Sequence, residues 1–164
     1  MPGAFDIRRF TSTDQAAAAE LIYQNLAKRF DALDESRNPD LQDIGRSYAD
    51  DVFLVACRNG SIIATGALVQ RHDMMDSAQI VRMHTRTEHQ NEGIGRAILG
   101  ALEACARKRG FTRVVLETNT DWVDAVRFYC RNGYAITELK HGETYFSKML
   151  VSESLAHDGS CPED

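Results

Sequence analysis

Gln90-Asn91-Glu92-Gly93-Ile94-Gly95-Arg96-Ala97 stands where a strand-like run hands over to a helix-like one. Upstream, residues 78–85 read as a strand. Downstream, residues 93–109 place Ile94, Ile98, Ala101 with Leu102, and Cys105 on one face at helical spacing, and Gly110 ends them. The first turn of a helix has unpaired backbone N–H groups and a positive dipole end, so glycines there let an anionic phosphate approach the backbone closely. A phosphate-bearing ligand is the functional reading of the stretch. The structural reading is a helix start in which Gly93 and Gly95 relieve crowding against a sheet.

The pattern extends in both directions. Phe5-Asp6-Ile7-Arg8-Arg9-Phe10 alternates as a half-buried strand does. Ser12 or Thr13 then offers an N-cap to a helix with its stripe at Ala17, Leu21 with Ile22, Asn25 with Leu26, and Phe30. Residues 31–51 hold seven acids and two arginines, with Pro39 opening a short helix through Tyr48. Residues 52–58 and 61–69 are β-rich and flank Asn59-Gly60, which suits a two-residue hairpin turn. After the loop come a strand over 112–118, a helix over 121–132 closed by Gly133, and paired strands over 134–139 and 144–150 around His141-Gly142. The order is that of one mixed α/β domain over residues 1–150, with a mostly antiparallel sheet covered by helices on both faces. Residues 151–164 are too polar to hold themselves down and read as a flexible C-terminal tail.

Composition narrows the function. At 164 residues, 43% hydrophobic and 26% charged, the chain is long enough for one full core and too apolar to be disordered. Nineteen basic against 24 acidic residues give a net charge of -5, so no nucleic-acid partner is expected. No apolar run is long enough for a bilayer and the N-terminus carries no signal pattern, so neither a membrane partner nor export is expected and the location reads as cytoplasmic. Cys57, Cys105, Cys130 and Cys161 form no Cys-x-x-Cys pair and no cluster with the histidines, which argues for no metal and for reduced thiols. The first three read as packed and Cys161 as free on the tail.

The loop resembles the acyl-coenzyme A loop of the GNAT superfamily of N-acetyltransferases, Arg/Gln-x-x-Gly-x-Gly/Ala, through Gln90, Gly93 and Gly95. The resemblance continues through Arg82-Met83-His84-Thr85 before the loop, and after it through Leu116-Glu117-Thr118, Ala125-Val126-Arg127-Phe128-Tyr129 and Gly133-Tyr134. It implies a GNAT-like α/β fold and an acyltransferase using acetyl-coenzyme A as acyl donor, with no metal. The acceptor would be an amine, either a small molecule or a peptide, and assembly as a homodimer stays open. It further implies that backbone groups around Met83 and Thr85 meet the pantetheine arm. The amides of Asn91, Glu92, Gly93, Ile94, Gly95 and Arg96 would hold the pyrophosphate beside Gln90. Glu92 departs from the pattern by placing a carboxylate beside that diphosphate. Trp122 departs by standing where many relatives carry an asparagine that contacts the pantetheine.

Two rivals are weaker. A dinucleotide-binding turn would use Gly93-x-Gly95 with Glu117 on a ribose, but its third glycine is Ile98 here and the preceding strand is not uniformly apolar. A Walker loop needs Gly-Lys-Ser/Thr, which does not occur.

Acyl transfer to an amine demands a neutral nitrogen and a proton for the departing thiolate. An alkylammonium of pKa ~10.4 is neutral only to about 1 part in 2,500 at pH 7, a demand of roughly 4.6 kcal/mol on a base or on desolvation. Glu117 sits near the end of an apolar run, twelve residues before Tyr129. That spacing is similar to the base and acid pair of ribosomal-protein N-terminal acetyltransferases in the family. Tyr129 falls where the family places the proton donor to the coenzyme A sulfur. The competing readings are a solvated strand-end carboxylate and an aromatic core residue. Strand alternation turns His84 away from the site. In relatives with a base on the fourth strand it falls at Gln79 or Val81, neither of which titrates. The acids of 31–51 suggest a cationic acceptor, or a solvated face. A non-catalytic acyl-coenzyme A-binding regulatory module is the alternative to an enzyme.

Overall fold

A computed structural model of the protein describes residues 3–151 and 159–164. Seven strands make one mixed sheet in the order β1-β2-β3-β4-β5-β7-β6. They are β1 (Asp6–Arg9), β2 (Val52–Arg58), β3 (Ser61–Gln70), β4 (Ser77–Thr85), β5 (Arg113–Asn119), β6 (Ala135–Lys140) and β7 (Glu143–Met149). All neighbours pair antiparallel except β4 and β5. Asn59 and Gly60 both take positive φ (51° and 79°), the type I′ combination that closes the β2–β3 hairpin tightly.

Helices cover both faces, as the continuous burial of β2 and β3 requires. Helix α1 (Gln15–Arg29) buries Ala18, Leu21 and Ile22 against Phe53, Val55 and Ala67, with Leu41 and Ile44 from the following turn and the short helix α2 (Ile44–Ser47). Helix α3 (Ile94–Lys108) buries Ile94, Ile98, Leu102 and Cys105 against the other face, and α4 (Val123–Arg131) joins it there through Tyr129. Gly66 lets α3 lie close on β3: a Cβ there would stand 2.6 Å from Ile98 Cγ2 and 2.7 Å from Met83 Sδ.

Two expectations about the cysteines are corrected. Cys161 is not a free thiol but is joined to Cys105 of α3 in a disulfide. Cys130 is exposed rather than packed. Of the tail, residues 152–158 lie outside the described residues, while Gly159 rests on the Gly100 backbone and Arg9 binds Pro162 O at 3.1 Å and Asp164 at 3.2 Å. Cys161 brings those last residues to α3 and β1, a contact that their polar composition gives no hint of.

Candidate active site

Strands β4 and β5 pair only over Ser77–Gln79 with Arg113–Val115. Past that point residues 80–85 and 116–119 are no longer paired to each other, and a cleft of about 1520 Å³ opens between them. Just beyond the last pair, β4 is distorted. Arg82 takes a positive φ of 56°, beside an irregular register opposite Gly66 of β3. For a long side chain that is a strained conformation. It is held on both sides: Thr65 Oγ1 donates to Arg82 O at 2.8 Å, and the guanidinium grips Asp40 through Nη2 (2.6 Å) and Nε (3.0 Å). Tyr48 completes the group by donating to Asp40 Oδ2 at 2.6 Å. Burial raises the Asp40 carboxyl pKa, but the bonds from Arg82 and Tyr48 outweigh it and leave it below the ordinary value.

His84 alternates with Met83 and Thr85 as expected, yet it is not turned away from the site. Ala78 and Ile80 face the α3 side, and so does Met83, whereas unbroken alternation would send Met83 to the opposite side with Val81. The extra residue at Arg82 therefore moves His84 to the α1 side, where it lines the cleft. Burial, then Arg82 and Arg29, push its pKa down to about 3. His84 is therefore neutral in the cleft and a poor base at neutral pH.

At one end the cleft meets the glycine loop. Met83, Thr85, Gln90, Asn91, Gly93, Ile94, Gly95 and Arg96 all line it; Glu92 does not. Asn91 (φ 64°) and Gly93 (φ 82°) are both left-handed, and Gly93 is the N-cap of α3. Alternating left-handed residues before a helix turn successive N–H groups toward one concavity, the shape of an anion nest. A Cβ at Gly93 would meet nothing within 4 Å, and at Gly95 it would sit 3.5 Å from the Phe128 ring and 3.6 Å from Thr85 Oγ1. Gly93 and Gly95 thus add no side chain of their own to the cleft, and the donor set of the loop fits a diphosphate.

The remaining charges of the cleft sort by element. Asp40 is spent on Arg82, and Asp124 is spent on Arg29 at 2.7 Å. Among the described residues Arg96, Arg127 and Arg131, on α3 and α4, have no acidic partner; nor do Glu117 of β5 and Glu143 of β7 have a basic one. Glu117 pairs across the strands with Tyr145 and Glu143 with Asn119, so the two carboxylates are diagonal neighbours on one face. Desolvation, then Glu143, raise the Glu117 pKa, with Arg71 opposing. Tyr145 donates to Glu143 at 3.1 Å. Of the acids in 31–51, Asp40 alone lines the cleft, and it is already paired.

Tyr129 is 8% exposed, lines the cleft, and makes no hydrogen bond through its hydroxyl among the described residues. Burial raises its pKa, so it carries its proton at any working pH. Trp122 lines the cleft under the Arg29 guanidinium, 4.5 Å from the ring centroid, and against Phe30. An asparagine side chain is present nearby at Asn119, but its Oδ1 accepts from Asp121 N at 3.0 Å. Glu143, His89 and the Arg29–Asp124 bridge escaped the sequence reading, because each depends on strand register or helix packing. Among the described residues, no group of three or more His, Cys, Asp and Glu is placed to hold a metal, and no helix is long and apolar enough to cross a membrane.

A mixed sheet parted at its one parallel pair, with a glycine-bearing helix start opening into the gap, defines the class of fold. Comparison with known proteins names it: the chain belongs to the acetyltransferase (GNAT) family, whose profile matches residues 19–134. It is 31% identical over 123 residues to the probable N-acetyltransferase family 8 member 5 of Mus musculus, covering 72% of this chain and 54% of that protein. It therefore spans about half the length of the mammalian relatives it matches. An aminoglycoside N(6')-acetyltransferase type 1 of Stenotrophomonas maltophilia is 26% identical over 141 residues, 80% of this chain and 87% of that one. In fold it is similar to a GNAT-family acetyltransferase from Staphylococcus aureus (TM-score 0.82, 19% identity, 90% and 100% of the two chains). The PaiA N-acetyltransferase from Thermoplasma acidophilum, solved in complex with coenzyme A, is likewise similar (TM-score 0.75, 17% identity, 90% and 99%).

Proposed function

We propose that the chain is an acyltransferase that moves an acetyl group from acetyl-coenzyme A to a primary amine, by direct attack within a ternary complex. The observation that carries this is the sorting of unpaired charge. Once the ion pairs are cancelled, the arginines that remain stand on α3 and α4, with Lys28 on α1, and the carboxylates that remain stand on β5 and β7. An anionic donor and a cationic acceptor can then occupy one cleft without competing for the same groups.

The residues that would hold the donor are the amides from Asn91 to Arg96 beside Gln90, with backbone groups of Met83 and Thr85 toward its pantetheine arm. When bound, the thioester supplies an activated acetyl carbon. On β5, Glu117, whose pKa is raised, accepts the proton that the acceptor ammonium must lose before its lone pair can attack. Glu143 keeps a cation attracted there. Tyr129 holds a proton with no competing acceptor and delivers it to the sulfur as the thiolate leaves. The ammonium gives one proton to Glu117 before attack. After attack the nitrogen of the tetrahedral adduct loses a second proton to solvent, the phenolic proton goes to sulfur, and solvent reprotonates Tyr129 and takes the proton from Glu117.

The test is binding followed by turnover. Acetyl-coenzyme A at about 100 times its Kd should stabilise the chain by about 2.7 kcal/mol in a thermal-shift titration. Free thiol should then appear with at least one member of a panel of small amines, aminoglycosides, and peptides with a free N-terminus or lysine. Binding with no thiol release from any amine would assign the chain to a regulatory acyl-coenzyme A-binding role. Absence of binding would overturn the coenzyme reading itself.

A further inference from the structure

Arg58, the last residue of β2, is an enclosed cation: 11% of its side chain is exposed, and its Nε is buried with no partner among the described residues. Its backbone pairs with Ser61 to finish the hairpin, a task any strand residue could perform. Burying a guanidinium with one donor unsatisfied is costly, so a residue of this kind implies a task for the charge.

The charge is spent on the back of the glycine loop. Arg58 Nη1 donates to Glu92 Oε2 at 3.0 Å and lies 3.1 Å from His89 Nδ1, which is itself 3.1 Å from the same carboxylate oxygen. Arginine only donates. When His89 Nδ1 is unprotonated it accepts from Arg58, and when protonated it donates to Glu92, so Glu92 keeps a donor in either state. The guanidinium lies over the Phe5 ring, 5.9 Å from its centroid. One cation thus ties together the hairpin end, the 3-10 turn Thr87–His89 and the residue that precedes the N-cap of α3.

Glu92 is the member of the loop whose placement matters most for an anion. One position before Gly93, its carboxylate would be drawn to the positive end of α3 and compete there for the amides. Gln90, Asn91, Gly93 and Ile94 line the cleft, and Glu92 does not. Arg58, then His89, hold its carboxyl below the usual range, which keeps it charged and engaged behind the loop.

We propose that Arg58 is a positioning residue of the coenzyme site: it holds the Glu92 carboxylate behind the loop, leaving the amides of 91–96 to the diphosphate of the donor. The proposal rests on the coenzyme reading above.

The test compares two ligands on the full chain: coenzyme A, which carries the diphosphate, and pantetheine, which does not. Arg58→Ala should weaken coenzyme A binding about tenfold and pantetheine binding less than twofold. Adding Glu92→Gln to Arg58→Ala should restore most of the lost coenzyme A affinity, because the displaced carboxylate is then gone. Equal losses for both ligands, no loss for coenzyme A, or no rescue by Glu92→Gln would overturn the proposal. If Arg58→Ala does not fold, Arg58→Lys carries the test. It keeps a cation but loses the fork, so it should show a smaller loss confined to coenzyme A, and a loss shared with pantetheine overturns the proposal. Wild-type chain that fails to bind coenzyme A at all would instead remove the coenzyme reading.

Discussion

Tyr129 and Tyr134 belong to one aromatic cluster, their ring centroids 5.8 Å apart, yet only one phenol has its proton committed. Tyr134 donates to Glu103 at 2.8 Å, and Lys148 holds the same carboxylate at 3.0 Å. Tyr129 lines the cleft and donates to nothing among the described residues. Burial raises both pKa values, so both keep their protons; the difference lies in where each proton can go.

Phenylalanine at the two positions should therefore act differently. Tyr129→Phe keeps coenzyme affinity and lowers kcat by about 10²-fold, the low end for removing a general acid. Tyr134→Phe leaves kcat within about twofold and costs roughly 1–2 kcal/mol of stability, since Glu103 retains Lys148. Steady-state kinetics and urea unfolding of both variants check this. Equal kcat losses would mean that the cluster acts through packing.

Gly95 separates a fold effect from a ligand effect. The contacts a Cβ would make there are ordinary ones, at 3.5 Å to Phe128 and 3.6 Å to Thr85 Oγ1, so Gly95→Ala should fold normally. Gly95→Val adds branches beside Phe128, Thr85 and the cleft that Gly95 lines, and should weaken coenzyme A binding more than tenfold. Calorimetric titration of the two variants checks it. Binding by Gly95→Val within twofold of wild type would mean that the diphosphate lies elsewhere.

The Cys105–Cys161 bridge yields a count. Denatured, unreduced chain should titrate two thiols, Cys57 and Cys130, and reduced chain four. The bridge closes a sequence separation of 56 residues, so Cys161→Ser should cost about 2–4 kcal/mol. Disulfides are rare in the cytosol, which makes the thiol count of cytoplasmically produced chain the informative measurement. Four thiols before reduction would restore the reading of Cys161 as free.

What could be read from the sequence was whatever is decided within a few residues. Asn59-Gly60 makes its turn because two adjacent residues tolerate positive φ. The loop at Gly93 and the apolar stripe of α3 are equally local. His84 was misread because the cleft beyond the break at Arg82 takes in both faces of β4, which alternation with Met83 and Thr85 does not display. The break at Arg82 is sustained from outside, by Thr65 of β3 and by Asp40, 42 residues away. Glu143 was passed over for a related reason. It becomes a neighbour of Glu117 only through the register of β7 on β5, which no spacing along the chain displays.

That register gives the final prediction. Glu117 is proposed to take the acceptor proton, so it must be ionised to work, and the rate should fall as pH drops through its pKa. Desolvation and Glu143 raise that pKa, placing the acidic limb of the pH–rate profile above the range of an ordinary carboxylate. Glu143→Gln removes one of the two causes. Ionised Glu117 then persists to lower pH, and the limb should move down the pH scale while the plateau kcat stays within about threefold. KM for a cationic amine should rise as one of two attracting charges is lost. Glu117→Gln should instead cut kcat by roughly 10²-fold and push the optimum upward, toward pH values at which solution supplies the neutral amine. The measurement is the pH dependence of kcat for wild type and both variants at saturating acetyl-coenzyme A. A limb that stays in place in Glu143→Gln and persists in Glu117→Gln would belong to another group, leaving Glu117 as a strand-end carboxylate.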